Sequence, residues 1–133
     1  MNLEFLPYGR QAVDEADIAS VVDVLRGDYL TTGPAVTAFE DDLAKAVDAP
    51  FAATCSNGTA ALHLAALALG LKAGDTIVVP AVTFLATANA AYFVGADVVF
   101  ADVDPSTGLM RPSDLKAALD RAVAHGKKVK AVF

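Results

Sequence analysis

An α/β fold, with an open, mostly parallel sheet and helices on both faces, is predicted by three observations. From Phe51 onward, short apolar runs alternate with helix-length segments in the order strand, helix, strand, which is how parallel sheets are assembled. The runs are apolar at consecutive positions rather than alternate ones, so both faces of the sheet need covering. Gly70, Gly95 and Gly126 each fall where a helix is expected to end, suited to a left-handed cap. Right-handed crossovers then give a doubly wound sheet.

Taken in order, residues 14–26 place Ile18, Val21, Val22 and Leu25 on one helical face, with acidic side chains in the first turn and Gly27 as the stop. Asp28-Tyr29-Leu30-Thr31-Thr32-Gly33-Pro34 is a polar and aromatic loop of the sort that faces a ligand, and Pro34 opens the next helix. That helix, about residues 35–47, sets Val36, Phe39, Leu43 and Val47 on one face and turns Glu40, Asp41 and Lys45 to water. Strands are expected at 51–55, 76–79, 98–103 and 129–133, and helices at about 59–69, 83–93 and 113–124. Residues 1–50 form an N-terminal helical segment, and residues 51–133 the first part of the α/β domain.

Composition narrows the function classes. The 133 residues suffice for one core, and at 55% hydrophobic the chain is unusually apolar, with a mean hydropathy of +0.46. No apolar run is long enough for a membrane helix. The first eight residues have neither the basic start nor the apolar run of a signal peptide, which gives an expectation of a cytoplasmic protein. A net charge of −6 without a basic stripe argues against nucleic acid as a partner. One cysteine and two histidines provide no internal disulfide and no spaced metal-ligand set, and Cys55 is read as a small buried strand residue.

Two stretches carry chemistry. At Thr54-Cys55-Ser56-Asn57-Gly58-Thr59-Ala60 an apolar strand is expected to end in a small polar turn from which an Ala/Leu-rich helix departs. Unpaired N–H groups at such a helix start attract an anion, most plausibly a phosphate, and Gly58 allows close approach. The competing reading is a well-capped helix and nothing more. The helix is apolar nearly all round and so is expected to be packed between the sheet and other helices, with His63 as a hydrogen-bonded structural residue. In the second stretch, Val79-Pro80-Ala81-Val82-Thr83-Phe84, Phe84 would stand on the same rim, beyond the carboxyl end of a strand. Its ring could stack on a flat cofactor, or it could be a core aromatic with Thr83 as the helix cap. Asp102-Val103-Asp104-Pro105-Ser106-Thr107-Gly108 could hold acid/base carboxylates but reads better as a turn.

Six segments in one order make the chain resemble the DegT/DnrJ/EryC1/StrS family of sugar aminotransferases. They are Pro7-Tyr8-Gly9-Arg10-Gln11, Leu30-Thr31-Thr32-Gly33-Pro34, Ser56-Asn57-Gly58-Thr59-Ala60-Ala61-Leu62-His63, Gly74-Asp75-Thr76-Ile77-Val78-Val79-Pro80, Thr83-Phe84-Leu85-Ala86-Thr87 and Phe100-Ala101-Asp102-Val103-Asp104-Pro105. The resemblance implies part of the large domain of a fold-type I enzyme dependent on pyridoxal 5′-phosphate (PLP). Such an enzyme moves an amino group from an amino acid, usually glutamate, to a nucleotide-linked keto sugar. It also implies cofactor contacts at Gly58, Thr59, Ala60 and Phe84, and sugar-nucleotide contacts at Tyr8, Asp28, Tyr29, Leu30, Thr31 and Asn57, as in members making 4-amino sugars. Active sites of the family lie at a homodimer interface, so a homodimer is expected.

The lysine to which family members bond the cofactor has no counterpart among Lys45, Lys72, Lys116, Lys127, Lys128 and Lys130. The chain is therefore expected to be the N-terminal part of a longer enzyme and inactive alone, and the choice between amino transfer and dehydration stays open. A stand-alone α/β module that binds a phosphorylated small molecule without catalysis is the alternative.

Overall fold

The computed structural model describes residues 9–133. Along the chain lie α1 (Glu15–Arg26), α2 (Pro34–Ala46), α3 (Gly58–Ala68), β1 (Asp75–Pro80), α4 (Leu85–Tyr92), β2 (Asp97–Ala101), α5 (Pro112–Ala124) and β3 (Lys128–Val132). The chain divides into two compact units, Met1–Thr54 and Cys55–Phe133.

The second unit holds the sheet. Its three described strands are parallel in the order β2-β1-β3, with Ile77 level with Val98 on one side and Ala131 on the other. Only the central strand, β1, is buried along almost its whole length, because it alone has a strand on each side and helices on both faces. Ile77 and Val79 point to one face and pack with Ala66 of α3, Ala88 and Ala91 of α4, Leu71 and Ala96. Val78 points to the other, against Ala101, Ala118 of α5 and its neighbours Leu115 and Leu119. The chain runs from β1 to β2 over one face and returns past β1 to β3 over the other, so both crossovers share one hand.

Alanine lets these layers approach closely. Ala66, Ala88, Ala90, Ala91, Ala118 and Ala122 are all buried on the helix faces. Gly70, Gly95 and Gly126 take φ of +63°, +75° and +67° after α3, α4 and α5, as their positions in the sequence required. Polar staples complete the unit. Lys130 of β3 donates to Gly70 O at 2.7 Å and to Asp75 Oδ2 at 3.3 Å, and Asp75 also accepts the Lys72 N–H at 3.1 Å. Burial pushes the Asp75 carboxyl up, but these bonds outweigh it and hold the group below its ordinary range. Arg121 of α5 donates to Phe100 O of β2 at 2.8 Å.

Several expectations are corrected. Residues 51–55 are not a strand, so the sheet has three described strands where the sequence implied four. A ladder requires a neighbour, and no described strand lies beside this segment; the Thr54 N–H bonds to a side chain instead. Cys55 is consequently exposed rather than a buried strand residue. Helix α3 buries only Ala66, leaving Leu64 and Leu67 exposed, because it is covered on one face alone. His63 is half-buried with its ring tilted against Phe93 at 5.2 Å between centroids, and it has no hydrogen-bond partner among the described residues.

The first unit holds α1 and α2. Asp14 caps α1, accepting the N–H groups of Ala16 at 2.8 Å and Asp17 at 3.0 Å, while Asp17 returns the favour to the Asp14 N–H at 3.0 Å. The stripe expected to be a packing face, Ile18, Val21 and Leu25, is exposed, and α1 has no buried residue. On α2 only Ala44 is buried, while Val36, Phe39, Leu43 and Val47 are exposed.

Candidate functional site

Helix α3 runs back toward the start of β1, so its first turn lies at the carboxyl end of that strand. The chain leaving Pro80 reaches Phe84 at the same rim, and α3 packs on α4. By this topology Ser56, Asn57, Gly58, Thr59 and Ala60 at the start of α3, and Phe84 at the start of α4, fall toward the carboxyl end of the sheet.

Asn57 starts the helix from extended backbone, φ −171° and ψ 170°, and its Oδ1 accepts the Ala60 N–H at 2.9 Å. Its Nδ2 donates to Ser56 Oγ at 3.2 Å, and the Ala61 N–H bonds to Asn57 O at 3.1 Å. The N–H groups of Gly58 and Thr59 have no acceptor among the described residues. The turn is thus both a capped helix and a pair of free donors at the positive end of a helix dipole. Of the three cofactor contacts expected here, Gly58 and Thr59 offer their N–H groups, whereas that of Ala60 is engaged by the cap. Asn57, expected at the sugar nucleotide, is that cap.

Gly58 identifies what the turn accommodates. Its φ is not in the left-handed region, and a Cβ built on it would meet nothing within 4 Å. Neither backbone nor packing demands glycine there; the bare Cα leaves room at the helix start for a ligand. Phe84 points the same way. It occupies the N-cap position of α4 with φ −69° and ψ 141°, and it is 77% exposed, so the core-aromatic reading does not hold. Thr83 is not the cap; its hydroxyl lies 3.0 Å from that of Thr87. A bare ring at the start of one helix and free N–H donors at the start of the helix packed on it are the kinds of group that cover a flat ligand and hold its phosphate.

The Asp102–Gly108 stretch is a turn. Asp104 accepts the Ser106 N–H at 2.7 Å and the Ser106 hydroxyl, and its backbone oxygen accepts the Gly108 N–H at 2.7 Å. Arg111 joins Asp104 Oδ2 at 3.0 Å to Asp114, whose Oδ2 also accepts the Arg111 Nε–H at 2.9 Å. The Ser106 bonds hold the Asp104 carboxyl below its ordinary value, as the Arg111 bonds do for Asp114. A further cavity of about 170 Å³, lined by Val99, Arg121, Ala122, His125 and Lys127, lies by the end of α5.

Asp28, Tyr29, Leu30 and Thr31 belong to the first unit. Tyr29 lines two open depressions: one of about 600 Å³ with Thr32, Gly33, Pro34, Thr37, Ala38 and Asp41, and one of about 330 Å³ that includes Asp28. Gly33 is needed beneath Tyr29, since a Cβ there would lie 2.5 Å from the Tyr29 Cβ. Leu30 is exposed, and Thr31 O accepts the Thr32 hydroxyl at 2.7 Å. Tyr8 lies outside the described residues. Sequence reasoning missed Glu40, taken only as a solvated residue. Its Oε1 accepts both the Thr54 N–H at 2.7 Å and the Thr54 hydroxyl at 2.9 Å, a pairing across fourteen positions that no periodicity signals.

Comparison with known proteins bears on this site. The profile described as DegT/DnrJ/EryC1/StrS aminotransferase family matches residues 11–132. A UDP-4-amino-4-deoxy-L-arabinose–oxoglutarate aminotransferase of Shewanella sediminis (strain HAW-EB3) is 42% identical over 104 residues, 78% of this chain and 27% of that protein. Among solved structures, a DegT DnrJ EryC1 StrS aminotransferase from Brucella abortus matches with a TM-score of 0.77 and 35% identity, covering 86% of this chain and 31% of that one. Spr1654 from Streptococcus pneumoniae in its PLP form matches with a TM-score of 0.77 and 34% identity, over 85% of this chain and 29% of that one. This chain spans about 30% of the length of these relatives.

Proposed function

This chain belongs to the DegT/DnrJ/EryC1/StrS aminotransferase family, whose cofactor is PLP, and from that premise we propose that it supplies the cofactor-phosphate grip of an enzyme that transfers an amino group from glutamate to a nucleotide-linked keto sugar. One combination supports the reading: free N–H groups on Gly58 and Thr59 with open space over Gly58 at the start of α3, and the exposed ring of Phe84 at the start of α4, a helix that packs on α3.

In this reading Gly58 and Thr59 hold the phosphate through their N–H groups, joined by Ala60 if the Asn57 cap gives way, and Phe84 covers one face of the ring. Bound there, PLP supplies the electron sink that amino transfer requires. The loop with Asp28, Tyr29, Leu30 and Thr31, together with Tyr8, contacts the sugar nucleotide, and the cytoplasmic enzyme works as a homodimer. Four of the six lysines are engaged in ion pairs: Lys45 and Lys116 pair with Asp42 and Asp120 on helix surfaces, while Lys127 and Lys130 pair with Asp97 and Asp75.

The test is cofactor titration of the enzyme carrying this chain, followed by addition of glutamate alone. PLP is expected to bind, and glutamate to shift its absorbance from the aldehyde to the amine form. Gly58→Ala, which fills the open approach to the N–H donors, and Phe84→Ala each weaken binding. PLP binding without any change on glutamate addition would favour the non-catalytic phosphate-binding module, and no binding at all would sink both readings.

A further inference from the structure

We infer that Thr37 and Asp41 of α2 recognise a ring diol of the nucleotide-linked sugar in the depression beside Tyr29; this rests on the reading, given above, that the loop with Asp28, Tyr29, Leu30 and Thr31 contacts that substrate. The depression is lined by residues of the first unit alone and measures about 600 Å³, the size of a ligand pocket. Thr37 and Asp41 stand four residues apart on α2, so they are neighbours on one helix face, and both line the depression. The Asp41 carboxylate has no partner among the described residues. Lys45, one turn further along, pairs with Asp42 at 3.2 Å instead. Tyr29 adds a ring that is 63% exposed, seated where its Cβ comes close to Gly33. Thr32 lines the same depression with φ +53°, a left-handed conformation that a β-branched residue adopts only under constraint and that collects at ligand sites.

Charge selects which part of a nucleotide sugar fits. Neither this depression nor the one that includes Asp28 is lined by lysine or arginine, and both carry carboxylates, Asp41 in the first and Asp23 and Asp28 in the second. A diphosphate there would meet like charge with nothing to offset it, so the uncharged rings of the substrate are what remain. An ionised carboxylate only accepts hydrogen bonds, and its two oxygens suit a pair of O–H donors such as neighbouring ring hydroxyls. The Thr37 hydroxyl both donates and accepts, so it can serve the next group on the ring. The Tyr29 ring offers an apolar surface for the C–H face of the sugar. Neighbouring hydroxyls occur in every nucleotide-linked hexose, whatever its base, and in ribose as well.

The experiment uses the PLP-loaded enzyme carrying this chain and measures dissociation constants by calorimetry. The probes are UDP-, dTDP- and GDP-glucose, which lack the keto group, and the three nucleoside diphosphates. Asp41→Ala is expected to weaken the probes that carry the recognised diol about tenfold, and Thr37→Val about threefold, the scale of hydrogen bonds lost to a charged and to a neutral group. PLP affinity stays unchanged in both. Asp41→Asn, which keeps one acceptor oxygen without the charge, falls between wild type and Asp41→Ala, and it decides the matter should Asp41→Ala not fold. Weakening confined to the three glucose conjugates identifies the hexose as the source of the diol. Weakening that extends to UDP and GDP but spares dTDP, whose deoxyribose lacks the diol, identifies ribose. Weakening of GDP and GDP-glucose alone would mean that Asp41 reads a base, and the diol inference is wrong. If Gly33→Ala, which displaces Tyr29, weakens the probes while Asp41→Ala and Thr37→Val do not, the inference is wrong and the loop keeps its place at the substrate. If none of the three variants changes probe affinity, or no probe binds the wild type, the reading of the loop as a substrate site falls and the inference with it.

Discussion

At the residue scale, the turn before α3 separates stability from binding. Gly58→Ala puts a methyl group where nothing stands within 4 Å, at a helix start with ordinary backbone torsions. Folding stability is expected to be unchanged or to rise by up to about 1 kcal/mol, since alanine favours a helix over glycine. PLP affinity should nevertheless fall, because the methyl occupies the approach to the N–H donors; urea unfolding and cofactor titration on one preparation would separate the effects. Asn57→Ala should do the opposite for stability, removing the bond to the Ala60 N–H at a cost of about 1 kcal/mol. In the first unit, Gly33→Ala would force the Tyr29 side chain to move, since the contact falls at its Cβ and not at a flexible tip. If Tyr29 contacts the sugar nucleotide, the KM for that substrate rises while PLP affinity stays put; an unchanged KM would remove Tyr29 from the substrate site. Phe84 shows what sequence could and could not tell at this scale. Its position after a strand end was legible, but its exposure was not, because an aromatic beside Thr83 fits a core as well as a rim.

At the element scale, β1 carries the second unit. Ile77 is fully buried between α3, α4 and the two flanking strands, so Ile77→Ala is expected to cost about 2–5 kcal/mol, read from the urea midpoint. Consecutive apolar residues from Thr76 to Val79 made this strand legible, and the glycines after α3, α4 and α5 marked where each helix stops. Residues 51–55 have the same apolar character yet form no strand, because pairing depends on a neighbour that local pattern does not reveal. The start of α5 depends on charge. Asp104 and Asp114 both titrate below the ordinary carboxylate value of 3.8, the first through its Ser106 bonds and then Arg111, the second through Arg111. Protonation is harder in the folded state than in the unfolded one. Their contribution is therefore complete above pH 3.8 and is lost as the pH falls from there through the folded values. Asp114→Asn should flatten the acid limb of a plot of unfolding midpoint against pH, with little effect at neutral pH beyond a constant offset; an acid limb identical to wild type would show that the Arg111 cluster does not stabilise the helix start.

At the scale of the whole molecule, apolar surface stands out. Helix α1 buries no residue, and Leu64, Leu67, Tyr92 and Phe93 are exposed on α3 and around the end of α4. Large exposed apolar patches associate in water, so the 133-residue chain on its own is expected to bind an apolar dye and to scatter light as a species heavier than 13.7 kDa. A monodisperse 13.7 kDa particle without dye binding would contradict this. High hydropathy was visible in the composition, but which faces stay bare was not, because amphipathic spacing marks a face that prefers burial without naming what buries it. The strand order β2-β1-β3 also bears on how the protein is made. The ribosome releases the central strand first, its partner on one side next, and the partner on the other side only about fifty residues after Pro80. At about 5–20 residues per second this leaves Asp75–Pro80, a stretch buried along almost its whole length among the described residues, half-paired for several seconds during translation. Slow codons between β2 and β3 would lengthen that interval, and newly made chains should then depend more heavily on chaperones that shield apolar strands.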